Sequence, residues 1–244
     1  MTSATLRGAV LGAAFVVSLA SAAHATSVGR TFVSGAGSDA NTANNCTVVN
    51  PCRSFAAAYG ITSAGGEIVA LDAAGYGGLT ITGAISIIAP LGASLGAAAS
   101  SAAITVNAGA GHLVLLKGLE INGNNLSSTT GIVFNSGRLF VEQSTLKQLT
   151  VGISVAANTK ADLFDTKIIG NNVGISTIGT GTSPNAFFTS PLALGPTQVR
   201  VYGGSITDNT TAFSMANPGV DGSSNVQSTP LPLVIIVPKS PAAT

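Results

Sequence analysis

The sequence predicts an all-β, single-domain parallel β-helix, a solenoid with an N-terminal capping helix. Three observations predict it. The middle of the chain repeats about every 22 residues, apolar residues recur at every second position within the repeats, and only 8% of residues are charged. A typical soluble domain carries about 25% charged residues. The apolar fraction, 45%, is ordinary, so the solvated surface must be built from Ser, Thr, Asn and Gly.

The repeat decides the architecture. GIVF at Gly131, GISV at Gly152 and GIST at Gly174 are spaced by 21 and 22 residues. Upstream lies a second matching element: LLKGLEI ending at Ile121, FVEQSTL ending at Leu146, LFDTKII with Ile168 in register, and VYGGSI ending at Ile206. The step from Ile168 to Ile206 is 38 residues, one repeat plus an insertion of 16 that falls in the Gly-, Ser-, Thr- and Pro-rich stretch 177–197. Period-two alternation is the mark of half-buried strands. Short strands with Gly or Asn turns, stacked at about 4.8 Å per rung, describe a coil stack. A leucine-rich repeat array has a similar period, but its asparagine belongs at one fixed site after a Leu-x-Leu strand, and here it does not sit there. An outer-membrane barrel needs aromatic girdles, which three Tyr, nine Phe and no Trp cannot furnish.

Taken in order, residues 1–25 read as a secretory signal peptide. Arg7 precedes an apolar run, and Ala23-His24-Ala25 gives the small-x-small cleavage pattern. The run is shorter than the roughly 20 residues a membrane span requires. Residues 26–66 hold a first strand, a cysteine loop and the cap helix. The helix is expected over 51–64, with Phe55 and Tyr59 on one face and Gly65-Gly66 as its stop. Coils are expected over 67–215, interrupted by the 177–197 insertion. Residues 216–244 form a Pro- and Ser-rich segment in which Leu231 to Val237 is expected to add a final strand or cover a flank. Cys46 and Cys52 both lie in the exported part, so a local disulfide is expected; zinc lacks its remaining ligands.

Within residues 30–82, Phe32-Val33-Ser34, Gly37-Ser38-Asp39, Pro51-Cys52-Arg53-Ser54-Phe55 and Gly65-Gly66-Glu67-Ile68-Val69 are the pieces that matter. Together they resemble the opening of right-handed parallel β-helix proteins of the pectin-lyase-like superfamily. The resemblance implies a right-handed coil. It does not transfer an activity, because the fold hosts lyases, hydrolases, adhesins and non-catalytic proteins. Polygalacturonase-like members imply paired aspartates, a histidine and Arg-x-Lys; this chain has no Asp-Asp and no Arg-x-Lys, and His112 stands alone. Pectate-lyase-like members imply a carboxylate-rich Ca²⁺ site, and nine acidic residues spread along the chain give Ca²⁺ no support. No cofactor is expected.

Repeat register supplies the candidate site. One outward column reads Leu115, Phe140, Asp162, Arg200, and the column two residues on reads Lys117, Glu142, Phe164, Tyr202. Phe164, Tyr202 and Glu142 are candidate ligand contacts on a shallow carbohydrate-binding strip, and Phe187 and Phe188 in the insertion are a second aromatic candidate. The densest charge cluster, Lys160, Asp162, Asp165 and Lys167, with Arg200 nearby, is the one place a general acid and base could sit. His112 reads as a turn residue, and Asn171 and Asn209 as an asparagine ladder. Cross-strand pairing accounts for most of these residues equally well. Two function classes follow. One is an exported, non-catalytic protein that binds polysaccharide or acts at the cell surface. The other is a polysaccharide lyase or hydrolase with a degenerate site. With ten basic and nine acidic residues and no basic stripe, nucleic acid is not an expected partner.

Overall fold

The computed structural model describes residues 28–156, 159–178, 197–215, 226–227 and 233–237. The expected signal peptide, most of the insertion and much of 216–244 lie outside them.

The chain enters with β1 (Val28–Val33), passes a 3₁₀ turn (Asp39–Asn44) and helix α1 (Phe55–Ile61), then begins to repeat with β2 (Thr62–Ala70) and β3 (Leu79–Ile81). Two rungs carry long strands, β4 (Ile85–Gly96) with β5 (Ala102–Asn107), and β6 (Leu113–Asn122) with β7 (Thr130–Ser136). The next two rungs have three short strands each. They are β8 (Arg138–Glu142), β9 (Thr145–Lys147) and β10 (Val151–Ala156), then β11 (Lys160–Phe164), β12 (Lys167–Ile169) and β13 (Val173–Ile178). A last rung holds β14 (Thr197–Tyr202), β15 (Ser205–Thr207) and β16 (Thr211–Met215), and β17 (Val226–Gln227) and β18 (Leu233–Val237) follow.

The strands stack in three columns. The first runs β1, β2, β4, β6, β8, β11, β14. The second joins the later halves of β4 and β6 to β9, β12 and β15. The third runs β3, β5, β7, β10, β13, β16. Every pairing from β1 to β16 is parallel, while β18 and β17 add antiparallel strands to the ends of the first two columns. The chain is therefore all-β with parallel sheets, an arrangement compatible with a parallel β-solenoid.

Alternation fills the interior. Ile85, Val114, Leu139, Ala161 and Val199 are successive register partners and all are buried, as are Ile87, Leu116, Val141, Leu163 and Val201. Leu95, Ile121, Leu146, Ile168 and Ile206 line the second column. Between the first two columns every rung turns on a residue with positive φ: Gly92, Gly118, Gln143, Asp165 and Gly203. Glycine is required where the corner is tightest. At Gly118 (φ 76°) a Cβ would lie 2.0 Å from the Ala89 carbonyl oxygen.

The expected helix over 51–64 is shorter in the structure. Ser54 caps α1, its hydroxyl accepting from Ala57 N–H, while Cys52 N–H donates to the Phe32 carbonyl of β1 and the Pro51 carbonyl accepts from Ser38 N–H. The chain turns extended at Thr62, before Gly65-Gly66, because Thr62 pairs with Val28 and donates its hydroxyl back to the Ala58 carbonyl. Phe55 is buried with its ring 4.8 Å from Tyr76, and the Tyr59 hydroxyl accepts from the Thr82 and Gly83 N–H groups. Cys46 and Cys52 form a buried disulfide. Of the segment 231–237, expected as a final strand or a flank cover, residues Leu233–Val237 form β18, along β14. Among the described residues no helix is long and apolar enough to cross a membrane.

Candidate functional site

The outward face of the first column, on β6, β8, β11 and β14, carries the candidate site. The two columns read from the repeat are the register partners of the structure: Leu115–Phe140–Asp162–Arg200, and Lys117–Glu142–Phe164–Tyr202. A third lies alongside, in which Arg138 is directly opposite Lys160.

Charge on this face is largely paired within it. Lys117 Nζ lies 3.3 Å from Glu142 Oε2, and around the corner Lys147 Nζ lies 2.9 Å from Glu120 Oε1. Arg200 grips Asp162 with two parallel bonds, Nε to Oδ1 and, at 2.7 Å, Nη2 to Oδ2. Asp162 is 1% exposed although it points away from the core. A carboxylate so enclosed needs its charge matched, and the bidentate guanidinium does this. The Asp162 bond in turn holds the Arg200 pKa above its ordinary value.

The aromatic groups form a ladder. Phe164 stacks on Tyr202 at 4.7 Å and 8°, and on Phe140 from the other side at 6.1 Å and 5°. Arg138 covers the Phe140 ring, its guanidinium carbon 5.3 Å from the centroid. Ring faces are thus turned toward neighbouring rungs, and Phe164 has both of its faces occupied by other rings. A sugar that needs an open ring face does not find one on Phe164.

The acid–base cluster separates on inspection. Asp162 is committed to Arg200. Asp165 is the exposed corner residue at φ 47°, a backbone conformation that Asp tolerates better than most residues. Lys160 is exposed at the start of β11 and Lys167 is exposed on β12. His112 is an exposed turn residue whose N–H donates to the Gly109 carbonyl. Asn171 and Asn209 form the ladder, with Asn171 Nδ2 donating to Asn209 Oδ1 at 3.0 Å and Asn209 Nδ2 to the Ile168 carbonyl. Phe187 and Phe188 lie outside the described residues. Among the described residues, no group of three or more His, Cys, Asp or Glu could hold a metal.

Sequence reasoning missed two features. Arg138 was legible, since it sits two residues before Phe140 and one repeat before Lys160. The second is a polar knot at the amino-terminal end. The Asp72 carboxylate accepts from the Tyr76 hydroxyl, from Ser34 Oγ at 2.7 Å and from Gly35 N–H at 2.9 Å. Those bonds, the Tyr76 one foremost, hold Asp72 below the usual carboxylate range, while burial and then the Asp72 bond push Tyr76 up. Asp39 does similar work nearby, accepting from the Arg53 and Ser54 N–H groups at 2.8 Å and so tying Gly37-Ser38-Asp39 to the entry of α1.

No family model, curated protein or solved structure matches the chain.

Proposed function

We propose that this chain is an exported, non-catalytic right-handed parallel β-helix of the pectin-lyase-like kind, with α1 as its cap, that binds polysaccharide on the outward face of its first column. The disulfide and the signal-like residues 1–25 support export. One observation carries the functional reading. The carboxylates Glu142 and Asp162 on that face are each engaged by a cation, while Arg138 and Lys160 stand opposite one another with no carboxylate paired to either among the described residues. A general acid and base need two groups free to exchange protons at a reacting bond, and among the described residues the carboxylates Glu142 and Asp162 of this face are both held by cations. What it offers is positive charge at fixed spacing, with Arg138 held over Phe140, suited to the anionic groups of a polymer. Like charges directly opposite on neighbouring strands destabilise a sheet, and a bound anion relieves that repulsion.

The test separates binding from turnover. The mature chain, run in gels containing pectate, alginate or an uncharged glucan, should be retarded by acidic polymers and should generate no unsaturated or reducing ends. Product formation that disappears in Asp162→Asn would instead establish the degenerate lyase or hydrolase.

A further inference from the structure

We infer that His112 is a third, titratable cation of the polysaccharide-binding face, so that this face holds an acidic polymer more tightly in mildly acidic than in neutral solution. The inference rests on the binding reading above and adds its regulation. Leu113, Arg138 and Lys160 are successive register partners, and Gln198 follows them. His112 stands one position before Leu113, at the entry to β6. Its carbonyl accepts from Arg138 N–H at 2.8 Å, which ties the histidine to the next rung. His112, Arg138 and Lys160 therefore occupy one end of three successive rungs, at about 4.8 Å per step. A polymer lying along the coil axis crosses all three. All three are exposed, and the imidazole lies over Gly109, where an added Cβ would be 3.6 Å from Nδ1.

The neighbouring groups leave a charge on His112 unmatched. The turn 108–111 that leads into it carries no ionisable side chain, and neither does β4, which pairs with β6. β8 brings Arg138 beside it and Glu142 at the far end, where Lys117 of β6 holds the carboxylate. Glu120 of β6 is held by Lys147. β11 brings Lys160, together with Asp162, which Arg200 holds. Among the described residues, no carboxylate lies within ion-pair distance of His112. Histidine is the side chain that ordinarily changes charge between about pH 5 and 8. The chain's other histidine, His24, falls in the expected signal peptide. Charging the imidazole places a third positive group beside two of the same sign, a repulsion that a bound polyanion offsets.

Titration with fluorescently labelled dextran sulfate, at pH 5.5 and 7.5 and constant ionic strength, reads the outcome. Its sulfates keep their charge across that range, so a change in affinity belongs to the protein. The native chain should bind at both pH values and roughly threefold more tightly at pH 5.5, the size of one exposed ion pair. His112→Gln should match the native chain at pH 7.5 and show no tightening in acid. His112→Lys should bind at both pH values as the native chain does at pH 5.5. The hydrogen bonds His112 makes to Gly109 and accepts from Arg138 are backbone bonds, so both variants should keep the fold, which β-sheet circular dichroism checks. Equal native affinity at the two pH values overturns the inference and leaves the binding face standing. Tightening that persists in His112→Gln overturns it too. No native binding at either pH overturns the binding reading itself, and the inference with it.

Discussion

Asp162 and Arg200 show how one outward position is held. The carboxylate side chain is 2% exposed and the guanidinium 31%. Removing one partner of a fully buried pair costs about 3–5 kcal/mol. Since Arg200 still reaches solvent, Arg200→Met should cost roughly 2–3 kcal/mol in urea denaturation, and adding Asp162→Asn should recover part of the loss. Thr177 makes the opposite case. It continues the inward row of Ile81, Val106, Phe134 and Val155, and its Oγ1 is buried without a hydrogen-bond partner. Thr177→Val should stabilise the fold by about 1 kcal/mol, because an unsatisfied buried hydroxyl carries a penalty of that order. At Asp72 the folded pKa is depressed, so its contribution is present above the ordinary carboxylate range and is lost as pH falls through the folded value. Tyr76 is raised, so its contribution is intact below the ordinary tyrosine range and fades as pH climbs beyond it. Asp72→Asn should flatten the acid limb of a stability-versus-pH curve measured by thermal melts; an unchanged limb would remove Asp72 from the account.

Among the elements, the corners and the cysteine loop matter most. The corner between the first two columns takes glycine, glutamine and aspartate in turn, all at positive φ. That explains Asp165 without chemistry. Asp165→Gly should leave stability within about 0.5 kcal/mol, whereas Gly118→Ala, strained at its φ and pressed against the Ala89 carbonyl, should cost more than the ~1–2 kcal/mol of a left-handed alanine. Calorimetric melts of the two variants would compare them. Closing the short cysteine loop contributes about 2 kcal/mol by loop entropy, and Cys46→Ser/Cys52→Ser should lower the urea midpoint accordingly. At this scale the sequence was most legible. Every second residue faces the core, so spacing alone gave the strand register, down to Asp162 beside Arg200 and Phe164 beside Tyr202. The ends of α1 were not legible, because the bonds that set them come from far along the chain: Asp39 to Ser54 at the start, and Val28 pairing with Thr62 at the finish.

For the whole molecule, low charge is a consequence of the rung architecture. Outward positions on the third column read Thr80, Thr105, Val133, Ser154, Ser176 and Ser214, so neighbouring strands meet without ionic partners to match. Much of the charge lies on the first column's outer face, where, among the described residues, Arg30–Glu67, Lys117–Glu142 and Arg200–Asp162 are paired and Arg138 and Lys160 are not. The candidate residues were legible as positions, but their use was not, because orientation along the ladder decides it. Phe164 and Tyr202 share a face, yet stacking turns their ring planes toward each other rather than toward a ligand. The decisive measurement is the affinity of a fluorescently labelled acidic polysaccharide for the native chain, for Arg138→Ala/Lys160→Ala and for Phe164→Leu. The double cation variant should bind at least tenfold more weakly and Phe164→Leu nearly as tightly as the native chain. Native affinity in the double variant, or binding abolished in a folded Phe164→Leu, would contradict the account.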